Sequence, residues 1–216
     1  AERHGRVRVA SAPTLSSSLM PACLTYCKEH YPNITLLMND QVQSRVLSVV
    51  HSGQVDFGLV VDPLDDEDLH LETVLEDPFY LACRQDHPLA SSAQADWGSL
   101  ARESLVLLDE TSGSRPLINR EFVRRGIDAN VVQEVGHPTT VFRLVDAGMG
   151  VSVLPGLAWP APQNSRIVRV PLNSEVRRRI TLVRRRGRTL SPAAQAVWRM
   201  ILQRFANWPE ELAATA

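Results

Sequence analysis

Val145-Asp146-Ala147-Gly148-Met149-Gly150-Val151-Ser152-Val153-Leu154-Pro155 contains a Gly-x-Gly whose neighbours decide the fold. Upstream of it Val141, Phe142, Leu144 and Val145 fall at helical spacing, which predicts a helix over 139–147. Gly148 and Gly150 then supply the left-handed and tight backbone that closes a helix. The apolar run after them predicts a buried strand over 150–154. A dinucleotide-binding loop needs the opposite order, strand then glycines then helix, so that amides at the helix start face the pyrophosphate. The reversed order excludes a Rossmann cofactor site here.

Outward from this segment, strands alternate with helices, the pattern of a mainly parallel sheet in an α/β architecture. Val7 and Val9 begin a strand that stops at Ser11-Ala12-Pro13. Thr14 sits where a helix N-cap belongs, and Leu15, Leu19, Cys23, Tyr26, Cys27 and His30 follow on one face until Tyr31-Pro32. Ile34 to Met38 read as the next strand, Val42, Val46, Val49 and Val50 as a helix closed by Ser52-Gly53, and Val55 to Val61 as an apolar strand. The acidic run Asp62-Pro63-Leu64-Asp65-Asp66-Glu67-Asp68 reads as a solvated loop, since it lacks the glycine and terminal glutamate of a calcium loop.

Leu71 to Arg84 read as a strand pair interrupted at Pro78, where the chain is expected to cross into a second domain. There follow a strand at 104–109, a turn at Thr111-Ser112-Gly113-Ser114, a helix at 115–125 closed by Gly126, a strand at 131–136, and the helix and strand already described. Pro155 to Pro162 read as a surface connection, Ile167 to Leu172 and Val176 to Arg185 as strands. Ser191-Pro192 start a final helix that turns Ala196, Val197, Met200, Ile201 and Phe205 inward.

The chain has 216 residues, enough for one large or two small domains. A net charge of -1 gives no general field for nucleic acid. Three cysteines, Cys23, Cys27 and Cys83, are too few for a disulfide framework and point to a reducing compartment. No run reaches transmembrane length. Ala1 to Arg6 carry no hydrophobic signal core, although a mature exported protein would look the same.

Three strand-to-helix turns carry hydroxyls or a histidine: Ser11 to Ser18, Thr111 to Arg115, and His137 to Thr140. Helix N-termini offer amides and partial positive charge, so a small carboxylate or other anion could bridge such turns if they face one another. The plainer alternative is that Ser and Thr cap their own helices. Arg115 is the candidate two-point clamp for a carboxylate, against an ordinary surface arginine. His137 is a weaker candidate, a solvated histidine being its alternative. Cys23 and Cys27 lie four apart on one helix face, but no further ligand pair completes a metal set, so buried thiols are expected. The arginines from Arg177 to Arg188 read as charged strand ends around Ile180-Thr181-Leu182-Val183 and not as a nucleic-acid patch. No nucleophile elbow, His-Glu-x-x-His helix or Gly-Lys-Ser/Thr loop occurs, so no enzyme is expected.

Several separated segments, in this order, resemble the effector-binding domain of LysR-type transcriptional regulators over nearly the whole chain. They are Gly5 to Ala10, Leu19-Met20-Pro21, His30 to Ile34, Gly53 to Leu59, Asp86-His87-Pro88-Leu89-Ala90, and Ala147 to Pro155. The resemblance implies a type 2 periplasmic-binding-protein-like α/β fold: two Rossmann-like subdomains, 1–77 plus 174–216 and 78–173, joined by two crossing strands. It implies a small-molecule effector held at Ser11, Thr14, Leu15, Thr111, Ser112, Arg115, His137 and Thr139. It further implies a cytoplasmic homodimer or homotetramer, no cofactor, no metal and no membrane partner. DNA would be bound through an N-terminal winged helix-turn-helix outside this sequence. A periplasmic solute-binding protein is the alternative with the same fold, and an enzyme of similar two-lobed architecture a more distant one.

Overall fold

The computed structural model describes residues 5–62 and 66–206. Residues 63–65 of the acidic run, with 1–4 and 207–216, lie outside the described residues. The chain divides into two compact units, Ala1–Glu76 with Arg179–Ala216, and Asp77–Arg178.

In the first unit β1 (Gly5–Ser11) pairs in parallel with β2 (Ile34–Asp40), from Gly5 opposite Ile34 to Ser11 opposite Asp40. It also pairs in parallel with β3 (Phe57–Val61), from Val9 opposite Phe57 to Ser11 opposite Leu59. Between these strands lie α1 (Pro13–Ser18), α2 (Met20–His30) and α3 (Gln43–His51). The helix expected from Thr14 to His30 is therefore two helices meeting at Leu19. Pro21 supplies the reason: its nitrogen has no hydrogen to donate to the carbonyl four residues back, and its ring crowds that carbonyl. Thr14 is not the N-cap either; Ala12 holds that position and Pro13 the first turn.

Helix α3 buries Val46, Val49 and Val50 against Ala10, Val60 and Val183, the stripe its spacing predicts. The late strand β9 (Arg177–Arg185) returns antiparallel to β3, with Val61 opposite Ile180 and Gly58 opposite Val183. The last helix, α6 (Pro192–Arg204), begins as read: Ser191 Oγ accepts the Ala194 N–H at 3.1 Å, and Pro192 sits in the first turn. Its apolar face buries Ala196, Val197, Met200 and Ile201, with Phe205 just beyond.

The strand β4 (Leu69–Arg84) runs 16 residues without interruption, from the first unit into the second. Pro78 does not break it, contrary to the sequence expectation. The ladders to β7 (Ser152–Pro155) and β8 (Ile167–Pro171) begin at Phe79 and Tyr80, so neither of these partners asks Pro78 for an N–H. In the second unit β5 (Ser104–Leu108) and β6 (Asn130–Val135) form a parallel pair ending at Leu108 opposite Val135. Helix α4 (Arg115–Arg125) lies between them in sequence, and α5 (Pro138–Asp146), which follows β6, packs on both strands. Val141, Phe142 and Val145 of α5 join Ala82, Val106, Leu108 and Leu154 in one core. Burying such side chains contributes about 1.5–3 kcal/mol each.

Gly150 behaves as the opening segment requires. Its φ is +145°, and a Cβ there would lie 2.0 Å from the Ser104 carbonyl oxygen. This close approach lets Val151 N–H reach Ser104 O and Val106 N–H reach Val151 O, both at 2.9 Å.

Two further expectations are corrected. Pro155, Gly156 and Leu157 are buried and do not form a surface connection. Arg178, read as one of the exposed strand-end charges, is 1% exposed. Its Nε donates to Asp77 Oδ2 at 2.7 Å and its Nη1 to Ser114 Oγ at 3.0 Å. Leu157 N–H donates to both Asp77 oxygens at 3.2 Å. Burial pushes the Asp77 carboxyl above its ordinary value, while Arg178 and the backbone N–H groups of Leu157 and Gly156 pull it down. The thiols are buried as expected, and burial raises Cys23 to about 12 and Cys83 to about 11.

Two substitutions test this packing by urea denaturation. Gly150→Ala is expected to cost about 3 kcal/mol or more, combining a backbone conformation hostile to side chains with a clash on Ser104. Ser191→Ala is expected to cost about 1 kcal/mol through the lost cap. Unchanged midpoints would contradict both assignments.

Candidate functional site

The turns that carry the expected site residues all sit at the C-terminal ends of parallel strands. In open α/β sheets that is where ligands bind, because backbone N–H groups and helix starts gather there.

In the first unit the chain leaves β1 at Ser11 and enters α1. Ser11 is fully buried, and its Oγ donates to the Ala12 carbonyl at 3.4 Å. Its own carbonyl accepts Ser16 Oγ and the N–H of Gln41, both at 3.1 Å. Ala12 N–H donates to Leu59 O at 3.1 Å, so the turn is fastened to the end of β3 as well. Thr14 is nearly buried, and its carbonyl accepts Ser18 Oγ at 2.5 Å. Leu15 is completely buried and its N–H is engaged by Ala12 O at 2.9 Å, so its contribution is packing. No side-chain hydrogen bond caps α1.

The sequence reading passed over Gln41. It follows β2, lies against Ser11 through its backbone, and holds Asn39 Oδ1 through Nε2 at 3.0 Å. Only the pairing of β1 with β2 brings these residues beside Ser11, and that register is not visible in the local sequence.

In the second unit the parallel register of β5 and β6 brings two expected turns together. Beyond Leu108 and Val135 the chain continues into Asp109–Thr111 and Gly136–Thr139. A Cβ placed on Gly136 would lie 3.4 Å from Asp109 Oδ2. Asp109 organises the first turn: its Oδ1 accepts the Thr111 N–H at 2.9 Å and the Thr111 hydroxyl at 2.6 Å. Ser112 Oγ accepts the Ser114 N–H at 3.3 Å. Thr111 is exposed and Ser112 half-buried.

Arg115 is buried, with 6% exposure, although the sequence offered it as a clamp or a surface group. Its Nε donates to Asn119 Oδ1 at 2.8 Å, and its Nη1 to Leu108 O at 2.8 Å and Glu134 Oε2 at 3.0 Å. A two-point grip on a carboxylate through Nη1 or Nε would have to displace bonds already made, and Glu134 already offsets the charge. The residue instead ties α4 to the ends of β5 and β6.

The second of these turns is more open. His137 occupies the N-cap of α5 in extended conformation, with no side-chain cap bond. Pro138 has no N–H, and the N–H of Thr139 has no partner among the described residues. His137, Thr139 and Thr140 are exposed. The capping alternative does not describe α1, α4 or α5, none of which has a side-chain cap bond. Ser114, missed in the sequence, is the N-cap residue of α4; its hydroxyl accepts from Arg178 instead of closing its own helix.

Comparison with known proteins is consistent with this geometry. Residues 1–206 match the family model described as LysR substrate binding domain. The HTH-type transcriptional regulator YfeR of Shigella flexneri is 44% identical over 91% of this chain, which spans 64% of that protein. YbhD of Escherichia coli, also an HTH-type transcriptional regulator, is 31% identical over 98% of this chain and 67% of its own length. Among solved structures, the regulatory domain of Synechocystis CcmR, in complex with 2-PG, superposes with a TM-score of 0.86 at 23% identity, covering 94% of this chain and 99% of that one. The effector-binding domain of QuiR, in complex with shikimate, gives 0.85 at 19% identity, covering 94% and 98%. The fold is thus the type 2 periplasmic-binding-protein-like one of these neighbours, and the family match along nearly the whole chain places it: this chain belongs to the LysR substrate-binding domain family, the effector-binding part of LysR-type transcriptional regulators.

Proposed function

We propose that this domain binds a small carboxylate or other anionic metabolite through the turns at the C-terminal ends of its parallel strands. Thr14 and the Ser11 turn serve on the first unit; Thr111, Ser112, His137 and Thr139 serve on the second. The observation that carries the reading is the open start of α5, where the Thr139 N–H, two threonine hydroxyls and an imidazole stand exposed without a cap. An anion there gains N–H donation and the positive end of the helix dipole together. Arg115, Asp109 and Ser11 act by holding these turns in place, since their donors and acceptors are already engaged within the fold.

In the full-length protein the effector shifts a homodimer or homotetramer between two arrangements, and an N-terminal DNA-binding domain reads out the difference. Only a difference in affinity between the arrangements can drive such a shift, so tight binding alone does not make an inducer. The HTH-type relatives favour this cytoplasmic regulator over a periplasmic solute-binding protein.

A thermal-shift screen of small carboxylates and aromatic acids tests the reading. At a hundredfold excess over its Kd, an effector is expected to add about 2.7 kcal/mol of stability. Thr111→Val and Thr139→Val are each expected to weaken a confirmed hit roughly five- to tenfold, the worth of about one hydrogen bond. A panel without any stabilising acid, or a hit bound equally well by both variants, would contradict the proposal.

A further inference from the structure

The first unit holds a second concavity, of about 490 Å³, walled by His70 and Glu72 from the start of β4, Arg184 and Arg188 from β9 and just beyond, and Trp198 and Arg199 from α6. Strand register places it. β9 runs antiparallel to β3, and β3 parallel to β1, so residues 184–188 lie at the end of the sheet where β1 begins. In register Ser11 stands opposite Leu59 and Leu59 opposite Leu182, so Arg184 is two residues beyond the Ser11 level, and neither Ser11 nor Thr14 lines the concavity. The concavity is therefore separate from the Ser11 turn.

Its charges are unbalanced: three guanidinium groups face one carboxylate. Glu72 is turned toward the tryptophan, its Oε2 accepting Trp198 Nε1–H at 2.8 Å. Arg188 is anchored, its Nη1 donating to Gly53 O at 2.9 Å and Val55 O at 3.4 Å. Arg184 donates through Nη1 to Arg188 O at 3.2 Å, and its guanidinium carbon stands 5.9 Å from the Trp198 ring centre. Arg199 is exposed and makes no ion pair among the described residues. Among the described residues, none of the three arginines has an acid within salt-bridge distance, in contrast to Arg84, Arg115, Arg124 and Arg178 elsewhere in the chain.

A guanidinium keeps five N–H donors in a planar fork, so arginines held by one or two bonds retain directed donors for an oxyanion. The tryptophan wall keeps one side of the concavity apolar and rigid, with Trp198 packed edge-on against Phe57 at 5.3 Å. The volume falls within the range of small-molecule sites. We propose that this concavity is a second ligand site, for a small organic or inorganic polyanion carrying at least two carboxylate or phosphate groups, held by Arg184 and Arg199 with Arg188 as the fixed base. It stands independently of the proposed effector turns.

Isothermal titration calorimetry of the 216-residue chain at low salt, with citrate and with pyrophosphate as separate probes, tests it. Saturable binding of at least one probe is expected, and the preferred probe tells carboxylate from phosphate. Arg199→Glu and Arg184→Ala are each expected to weaken it tenfold or more, and Arg120→Glu, an exposed charge on the other unit, to leave it unchanged. Arg199→Glu changes an exposed side chain, so its effect reads the site and not the fold. Absence of saturable binding by both probes, or equal affinity in the wild type and Arg199→Glu, would overturn the proposal. Failure of the carboxylate screen at Thr111 and Thr139 leaves this outcome unaffected.

Discussion

The ion pair of Asp77 and Arg178 is the constraint on which the second unit turns. Both side chains are removed from water, at 0% and 1% exposure. Taking two charges out of water is costly, and their attraction offsets that only when the geometry is good and the remaining donors and acceptors are satisfied. Four segments of the fold converge on this carboxylate and guanidinium. β4 brings Asp77, β9 brings Arg178, the chain after β7 brings the N–H groups of Gly156 and Leu157, and the turn before α4 brings the Ser114 hydroxyl. Gly156 is small for the same reason, since a Cβ there would lie 2.6 Å from Asp77 Oδ1. Replacing such a pair by apolar residues is often neutral in stability, and the bonds it makes here join β4, β9, the chain after β7 and the turn before α4. It fixes where α4 starts, and so where Thr111 and Ser112 are presented.

Much of the fold was legible because local patterns and tertiary demands agree. The order of helix, glycines and strand at 139–155, the apolar stripe of α3 and the Ser191-Pro192 start of α6 each follow from spacing and backbone preference alone. The failures lie where partners distant in sequence decide. Pro78 signals a break, but the ladders to β7 and β8 begin only after it, so neither asks for its N–H. Pro155 to Leu157 look like a surface link, yet Asp77 draws them inside. Arg178 sits among arginines that face solvent, and nothing within β9 marks it as the one whose partner is 101 residues away.

The candidate site was legible in its turns and not in its side chains. Composition located the Ser11, Thr111 and His137 segments, because hydroxyl residues and histidine between a strand and a helix are visible in the sequence. It did not separate Thr111 and Thr139, which are exposed, from Ser11, Leu15 and Arg115, which are buried. Burial depends on the register of β1 with β2 and of β5 with β6. The same registers put Gln41 beside Ser11 and the Asp109 turn beside Gly136. The parallel sheet of the first unit also differs chemically along its length: hydroxyls and backbone groups where β1 stops, and toward its start arginines without an acid in salt-bridge distance among the described residues.

A double-mutant cycle on Asp77→Ala and Arg178→Ala, read by urea denaturation, tests most directly whether this buried pair acts as a single coupled unit. Each single variant leaves a buried charge uncompensated, so each is expected to cost about 3–5 kcal/mol. The double variant should cost less than their sum, with a coupling of about 2–3 kcal/mol. Costs that add to within about 0.5 kcal/mol would show two independent residues and contradict the account.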